Sequence, residues 1–244
     1  MTAIASIVSA HARDRLTGGI IAAGEGSRLR RDGFTVPKPL VEVAGIALIE
    51  AAIRNFETAG ITPLVIIVNE RELDCVERVR ERFPHLSVRF IVKTTASSLE
   101  SFLEVTGTPG GGPMLVSTVD AWCRPADFTR FVEAAIDRPP GATVLAVTPF
   151  VADEKPLWAD LDAAGRVVAL GGSTGAFVTA GMYLVPEHVR RLTPPGELGR
   201  LRELLMWLYR QGHPMYGEVI PKVVDVDRAE DVALAEALER ADSC

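Results

Sequence analysis

From Thr17 onward, short apolar runs alternate with longer segments whose apolar residues recur every three or four positions. "TGGIIAAG" reads as a buried strand, and "IALIEAAIRNFETAG" as an amphipathic helix closed by Gly60. "PLVIIVN" is a second strand, "ELDCVERVRERF" a second helix and "SVRFIVK" a third strand. The pattern continues with a helix over "ASSLESFLEV", a strand over "GPMLVSTVD", a helix over "PADFTRFVEAAIDR" and a strand over "ATVLAVTPF". Strand and helix in alternation, with strands apolar on both faces, predict an α/β fold. The expected core is a Rossmann-like mixed, mostly parallel sheet flanked by helices on both faces.

After residue 150 the rhythm changes. "LWADLDAAGRVVALG" predicts a hairpin turning at Ala164 and Gly165, followed by the strand "FVTAGMYLV". A helix over "LGRLRELLMWLYRQG", a last strand over "KVVDVD" and a helix over "RAEDVALAEALERA" complete the chain. There is no internal repeat and no low-complexity linker. The expected organisation is an arm over residues 1–16 and a single domain over 17–244.

Composition narrows the class. The 244 residues are 48% hydrophobic and 24% charged, enough to bury a core unaided. No apolar run is long enough to span a bilayer, and "MTAIASIVSA" lacks the basic start of a secretory signal. The three cysteines and four histidines are scattered, which argues against a disulfide framework and a structural zinc site. A reducing, cytoplasmic setting and no membrane partner are expected. The net charge of −6 disfavours nucleic acid, yet Arg28, Arg30, Arg31 and Lys38 crowd one stretch. Local positive charge in an acidic chain suggests a small anionic ligand.

That stretch is "IIAAGEGSRLRRDGFTVPKPL". A dinucleotide fingerprint needs Gly or Ala where Leu29 stands, and a P-loop needs Gly-Lys-Ser/Thr, which does not occur. What remains is a loop in which Gly24, Gly26 and Ser27 let backbone N–H groups approach phosphate oxygens, with Arg28 to grip them. Lys38 is mounted between Pro37 and Pro39, whose rings stiffen the chain around a point charge. A turn carrying solvated charges is the plainer alternative.

The run "AAGEGSRL…PKPLVEVAG" resembles the nucleotidyltransferases with a GT-A-like fold, both the sugar-phosphate nucleotidyltransferases and the CTP:phosphocholine cytidylyltransferases. Their shared pattern is G-x-G-[ST]-R-[LMF] followed by P-K-P, and the later landmarks appear in order. The resemblance implies an enzyme that transfers a nucleoside monophosphate from an NTP to a sugar phosphate or phosphocholine-like acceptor, with Mg²⁺, releasing pyrophosphate. The expected partners are thus an NTP and a small phosphorylated acceptor, in a monomer or homodimer. By the same resemblance Ala22, Ala23, Gly24, Gly26 and Ser27 hold the nucleotide, and Arg28 and Lys38 are catalytic.

The resemblance assigns metal binding to Asp120, in "LVSTVDAW", and to the segment "VVDVDRAED". Asp225 and Asp227 fall on one side of a strand, where two carboxylates invite a cation. Alternatives stay open: Asp120 as a turn or capping residue, and Asp227 with Glu230 as a capping box. "TTASSLES" matches the segment where relatives contact the base, through Ser97 and Ser98, although serines also cap helices. Gly181 and Tyr183 match the strand bordering the acceptor pocket, with Trp158 as a candidate wall. The E-K-P lysine expected after the hairpin is missing; Lys155, before it, is the candidate substitute or a surface charge. A non-catalytic nucleotide-sensing domain and a GT-A glycosyltransferase are the competing readings.

Overall fold

The structure is a computed structural model that describes residues 16–151 and 155–241. The arm expected over residues 1–16 lies outside them except for Leu16, which is buried. In chain order the elements are β1 (Thr17–Ala22), α1 (Ser27–Arg31), β2 (Glu42–Val43), β3 (Ile46–Ala47), α2 (Leu48–Thr58) and β4 (Leu64–Val68). Next come α3 (Leu73–Arg82), β5 (Val88–Val92), α4 (Ser98–Thr106), β6 (Met114–Thr118), β7 (Ala121–Trp122), α5 (Pro125–Ile136) and β8 (Thr143–Thr148). The remainder is β9 (Trp158–Leu161), β10 (Val167–Leu170), β11 (Phe177–Val185), α6 (Glu187–Arg190), α7 (Leu201–Arg210), β12 (Met215–Val219), β13 (Val224–Asp225) and α8 (Ala229–Ala241).

Nine strands form one mixed, mostly parallel sheet. Its path is β10-β9-β11-β6-β1-β4-β5, with β8 joined to β11 and β12 to β8. The pairings β1 with β4, β1 with β6, β4 with β5 and β8 with β12 are parallel, and β11 runs against each of its neighbours. Side-chain alternation explains why these strands read as apolar throughout. Ile20 and Ala22 of β1 pack with Leu64, Ile66 and Val68 of β4 in the core beneath α2, α3, α5 and α8. Ile21 and Ala23 pack with Val65 and Ile67 in a second core with α4 and α7. Helices therefore cover both faces.

Two expectations change in detail, and one strand is added. The helix expected from Ile46 starts at Leu48, because Ile46–Ala47 pairs back on Glu42–Val43 through Ala44 and Gly45, both at positive φ. The strand expected over "KVVDVD" shrinks to Val224–Asp225 and pairs with Ala121–Trp122 in a small separate sheet. β12, which was not expected, lies parallel beside β8. Among the described residues no helix is long and apolar enough to cross a membrane.

Candidate active site

β1 carries Ala22 and Ala23, both buried, to the rim of the sheet, and the chain then opens into Gly24 and Glu25. Gly26 sits in the left-handed region at φ 60, immediately before α1. A Cβ there would stand 2.7 Å from the Cβ of Lys38, so the glycine loop and the Pro-Lys-Pro turn are packed together. Lys38 opens a short 3₁₀ turn, Lys38–Leu40, and is only 7% exposed. The opening basic cluster divides. Arg28 turns toward the sheet rim, Arg30 lies 3.9 Å from Glu72, and Arg31 donates to the Ser27 carbonyl.

The acids arrive from two other strands. Asp120 follows β6, and its carbonyl accepts from the Val226 N–H, 3.0 Å away, which fastens the β13 segment beside it. The Lys38 ammonium donates to Asp120 Oδ2 at 2.5 Å and to Asp227 Oδ1, and Arg28 donates to Asp227 Oδ2. Asp227 does not cap the last helix. Asp231 Oδ2 accepts from the N–H groups of Asp227 and Arg228, at 2.9 and 2.8 Å, and so leaves the Asp227 carboxylate to the cations.

Burial by itself would lower the pKa of Lys38, but Asp120, Asp227 and Asp225 outweigh it and hold the ammonium above the ordinary lysine range. Burial would raise Asp120, yet Lys38 and a hydrogen bond from Thr118 keep it below the usual carboxylate value. Oxygens of Asp120, Asp225 and Asp227 lie within 4.8 Å of one another. Three hard carboxylate donors at this spacing fit a divalent cation of the Mg²⁺ or Mn²⁺ kind.

Against the acids opens a cleft of about 230 Å³, with Asp120, Asp225, Gly181 and Tyr183 in its lining. Burial raises the Tyr183 hydroxyl pKa, and Asp225 and Asp120 add to the shift. Ser98 also lines the cleft, and its hydroxyl accepts from the Leu201 N–H at 3.2 Å. Ser97 lies outside the lining and caps α4, accepting from Glu100 N–H. Lys155 is exposed and Trp158 half-buried, and neither lines the cleft. Sequence reasoning missed Thr148, Phe150 and Arg202 in the lining. For Thr148 and Phe150 the usable signal was position: both sit at the carboxyl end of a strand parallel to β1, where α/β sheets gather ligand-binding groups. Arg202, on the first turn of α7, carries no such mark.

Residues 18–193 match the MobA-like NTP transferase domain, well over half of the chain. The chain belongs to that family. This MobA-like domain is 38% identical over 81 residues to a mannose-1-phosphate guanyltransferase of Eremothecium gossypii, covering 32% of this chain and 22% of that protein. It is 28% identical to the bifunctional IPC transferase and DIPP synthase of Rubrobacter xylanophilus, over 93% of this chain and 52% of the relative. The chain thus spans about a fifth to a half of the curated relatives it matches. In fold, the MobA-like domain superposes on the inositol-1-phosphate CTP transferase from T. maritima with a TM-score of 0.78 and 18% identity, covering 92% of this chain and 95% of the other.

Proposed function

We propose that this chain, acting from residue 17 onward as one domain, transfers a nucleoside monophosphate from an NTP to a small acceptor bearing a phosphate, releasing pyrophosphate. Sugar phosphates and phosphocholine-like molecules are the acceptors of choice. The observation that carries the reading is the convergence of Lys38 and Arg28, from the start of the chain, on Asp120 and Asp227, from its middle and end, beside the cleft. Family membership and the names of the relatives support it.

The chemistry is an in-line exchange at phosphorus. An acceptor phosphate oxygen forms a new bond to the α-phosphorus, and the bond from the α-phosphorus to the bridging oxygen breaks, its electron pair leaving with pyrophosphate. The acceptor needs no base, because a phosphate monoester is largely dianionic at neutral pH. The protein must instead bring two polyanions together and hold them in line. The amides around Gly24, Gly26 and Ser27, with Arg28, meet the departing pyrophosphate. Lys38, charged throughout the physiological range, meets the charge that develops at the α-phosphate. Its contacts with Asp120 and Asp227 aim the ammonium before substrate arrives. Asp120, Asp225 and Asp227 would hold Mg²⁺, which when bound neutralises phosphate charge and polarises the α-phosphoryl group. Gly181, Tyr183 and Arg202 border the acceptor, and the β5–α4 segment with Ser97 and Ser98 borders the base. Cys75 and Cys123, buried free thiols, suit a reducing, cytoplasmic compartment.

Pyrophosphate release tests the proposal. The protein is mixed with each common NTP, Mg²⁺, and a panel of sugar phosphates and phosphocholine. Release only when NTP and acceptor are both present is the expected result. Nucleotide binding without release on any acceptor would instead fit a sensing domain.

A further inference from the structure

A second cavity, of about 320 Å³, adjoins the glycine loop and shares no lining residue with the acidic cleft. Glu25 and Arg30 border it from the loop and α1, Thr35 and Pro37 from the approach to Lys38, and Asn69, Arg71 and Glu72 from the end of β4. Glu72 is 4% exposed, and its Oε2 is buried with no hydrogen-bond partner among the described residues. Its Oε1 has Arg30 only at 3.9 Å. A buried acceptor oxygen left unserved costs about 1–3 kcal/mol, so this one calls for a donor from outside the chain.

The charges around the cavity say what kind of donor. The lining carries two carboxylates, Glu25 and Glu72, and two guanidiniums, Arg30 and Arg71. A simple anion would meet the carboxylates, and a simple cation the guanidiniums, so neither gains much. A molecule carrying both signs a few atoms apart can satisfy carboxylates and guanidiniums together. We infer that this cavity is a binding site for a small zwitterion of amino-acid size, its ammonium donating to Glu72 and its carboxylate or phosphate held by Arg30 and Arg71. The cavity volume falls at the small end of the range for ligand pockets. Because Glu25 lies between Gly24 and Gly26, and Pro37 adjoins Lys38, an occupant braces both segments that hold the nucleotide phosphates. Occupancy therefore favours the NTP-binding arrangement.

The zwitterion site does not depend on nucleotidyl transfer; only its effect on NTP rests on the proposed function, and the test reads binding directly. β-Alanine is titrated into the whole protein by calorimetry, with propionate and propylamine as single-charge controls. One site for β-alanine is expected, with each control at least 10-fold weaker. Glu72→Gln and Arg71→Ala, the latter an exposed side chain whose loss leaves the core intact, should each weaken β-alanine at least 10-fold while both variants keep a cooperative thermal transition. β-Alanine should also lower the Kd for NTP. Absence of β-alanine binding, as when water alone serves Glu72, overturns the inference. So does equal binding of the controls, or binding that survives in both variants.

Discussion

Lys38 is where local sequence and long-range packing meet. Pro37 and Pro39 fix its backbone, Gly26 lies against its Cβ, and two carboxylates from distant strands receive its ammonium. The two prolines and the lysine were legible in the sequence; the partners were legible only by resemblance, because nothing local says that residues 120 and 227 will arrive there. Lys38→Ala should lower turnover by roughly 100-fold or more, as removal of a preorganised charge does elsewhere. Turnover within a few-fold of the parent, with the same thermal midpoint, would remove Lys38 from the mechanism. Glu72 gives a residue-scale prediction of a different kind. Burial, opposed by Arg30 and reinforced by Glu25, raises its pKa from 4.5 to about 7. Between those values the folded chain binds more protons at this site than the unfolded chain, so stability falls as pH rises through the window. The penalty is absent below 4.5 and complete above 7. Glu72→Gln removes it, so the variant should gain on the order of 2 kcal/mol over the parent at pH 8 and much less at pH 5. Urea unfolding at the two pH values checks this; an equal difference at both would show that Glu72 does not titrate as described.

Among the elements, those with strong periodicity were readable and those whose signal rests on an absent side chain were not. Phe177–Val185 and the hairpin of Trp158–Leu161 with Val167–Leu170 appear where their apolar patterns put them. β12 was missed because one of its inward positions is Gly217, which contributes no side chain to the alternation. The space is taken by Leu161, whose Cδ2 would lie 2.6 Å from a Cβ at that position. The start of α8 was legible in kind but not in person: carboxylates do serve it, with Asp32 accepting from the Ala229 N–H and Asp231 reaching back to the N–H groups of Asp227 and Arg228. The glycine loop can be dissected at this scale. Gly26→Ala must place a side chain at φ 60 and against Lys38, whereas Gly24 has nothing within 4 Å of a Cβ and no positive φ. Gly26→Ala should therefore cost about 1–2 kcal/mol of stability and most of the activity. Gly24→Ala should leave the thermal midpoint unchanged and raise the KM for NTP, since its methyl group projects into open space where phosphates would lie. Equal midpoints for the two variants would mean that Gly26 is not under conformational constraint.

For the whole molecule, the fold does what the strand order requires. The carboxyl ends of β1 and β6 face the same rim, and β13 is tied to it through β7, so residues from the two ends of the chain share one site. Three carboxylates, Asp120, Asp225 and Asp227, converge there with Lys38 and Arg28. Two of the carboxylates, Asp120 and Asp227, are held directly by Lys38, and Asp227 also by Arg28. A carboxylate oxygen of Asp225 lies within 4.8 Å of oxygens of both, and three negative groups at that spacing repel one another. A divalent cation relieves that repulsion and so stabilises the folded chain in proportion to its binding. Asp225→Asn removes one of the three repelling charges and, with it, one hard oxygen donor. The melting temperature of each protein without metal is its own reference. With added Mg²⁺, the rise in melting temperature seen in the parent should be largely lost, and lost again when Mg²⁺ is added with NTP. The two arms separate a ligand from a mere structural acid. A variant that melts several degrees lower without metal, yet keeps the full Mg²⁺-dependent rise, would show that Asp225 holds the fold together and that the cation, if bound, rests on Asp120 and Asp227 alone.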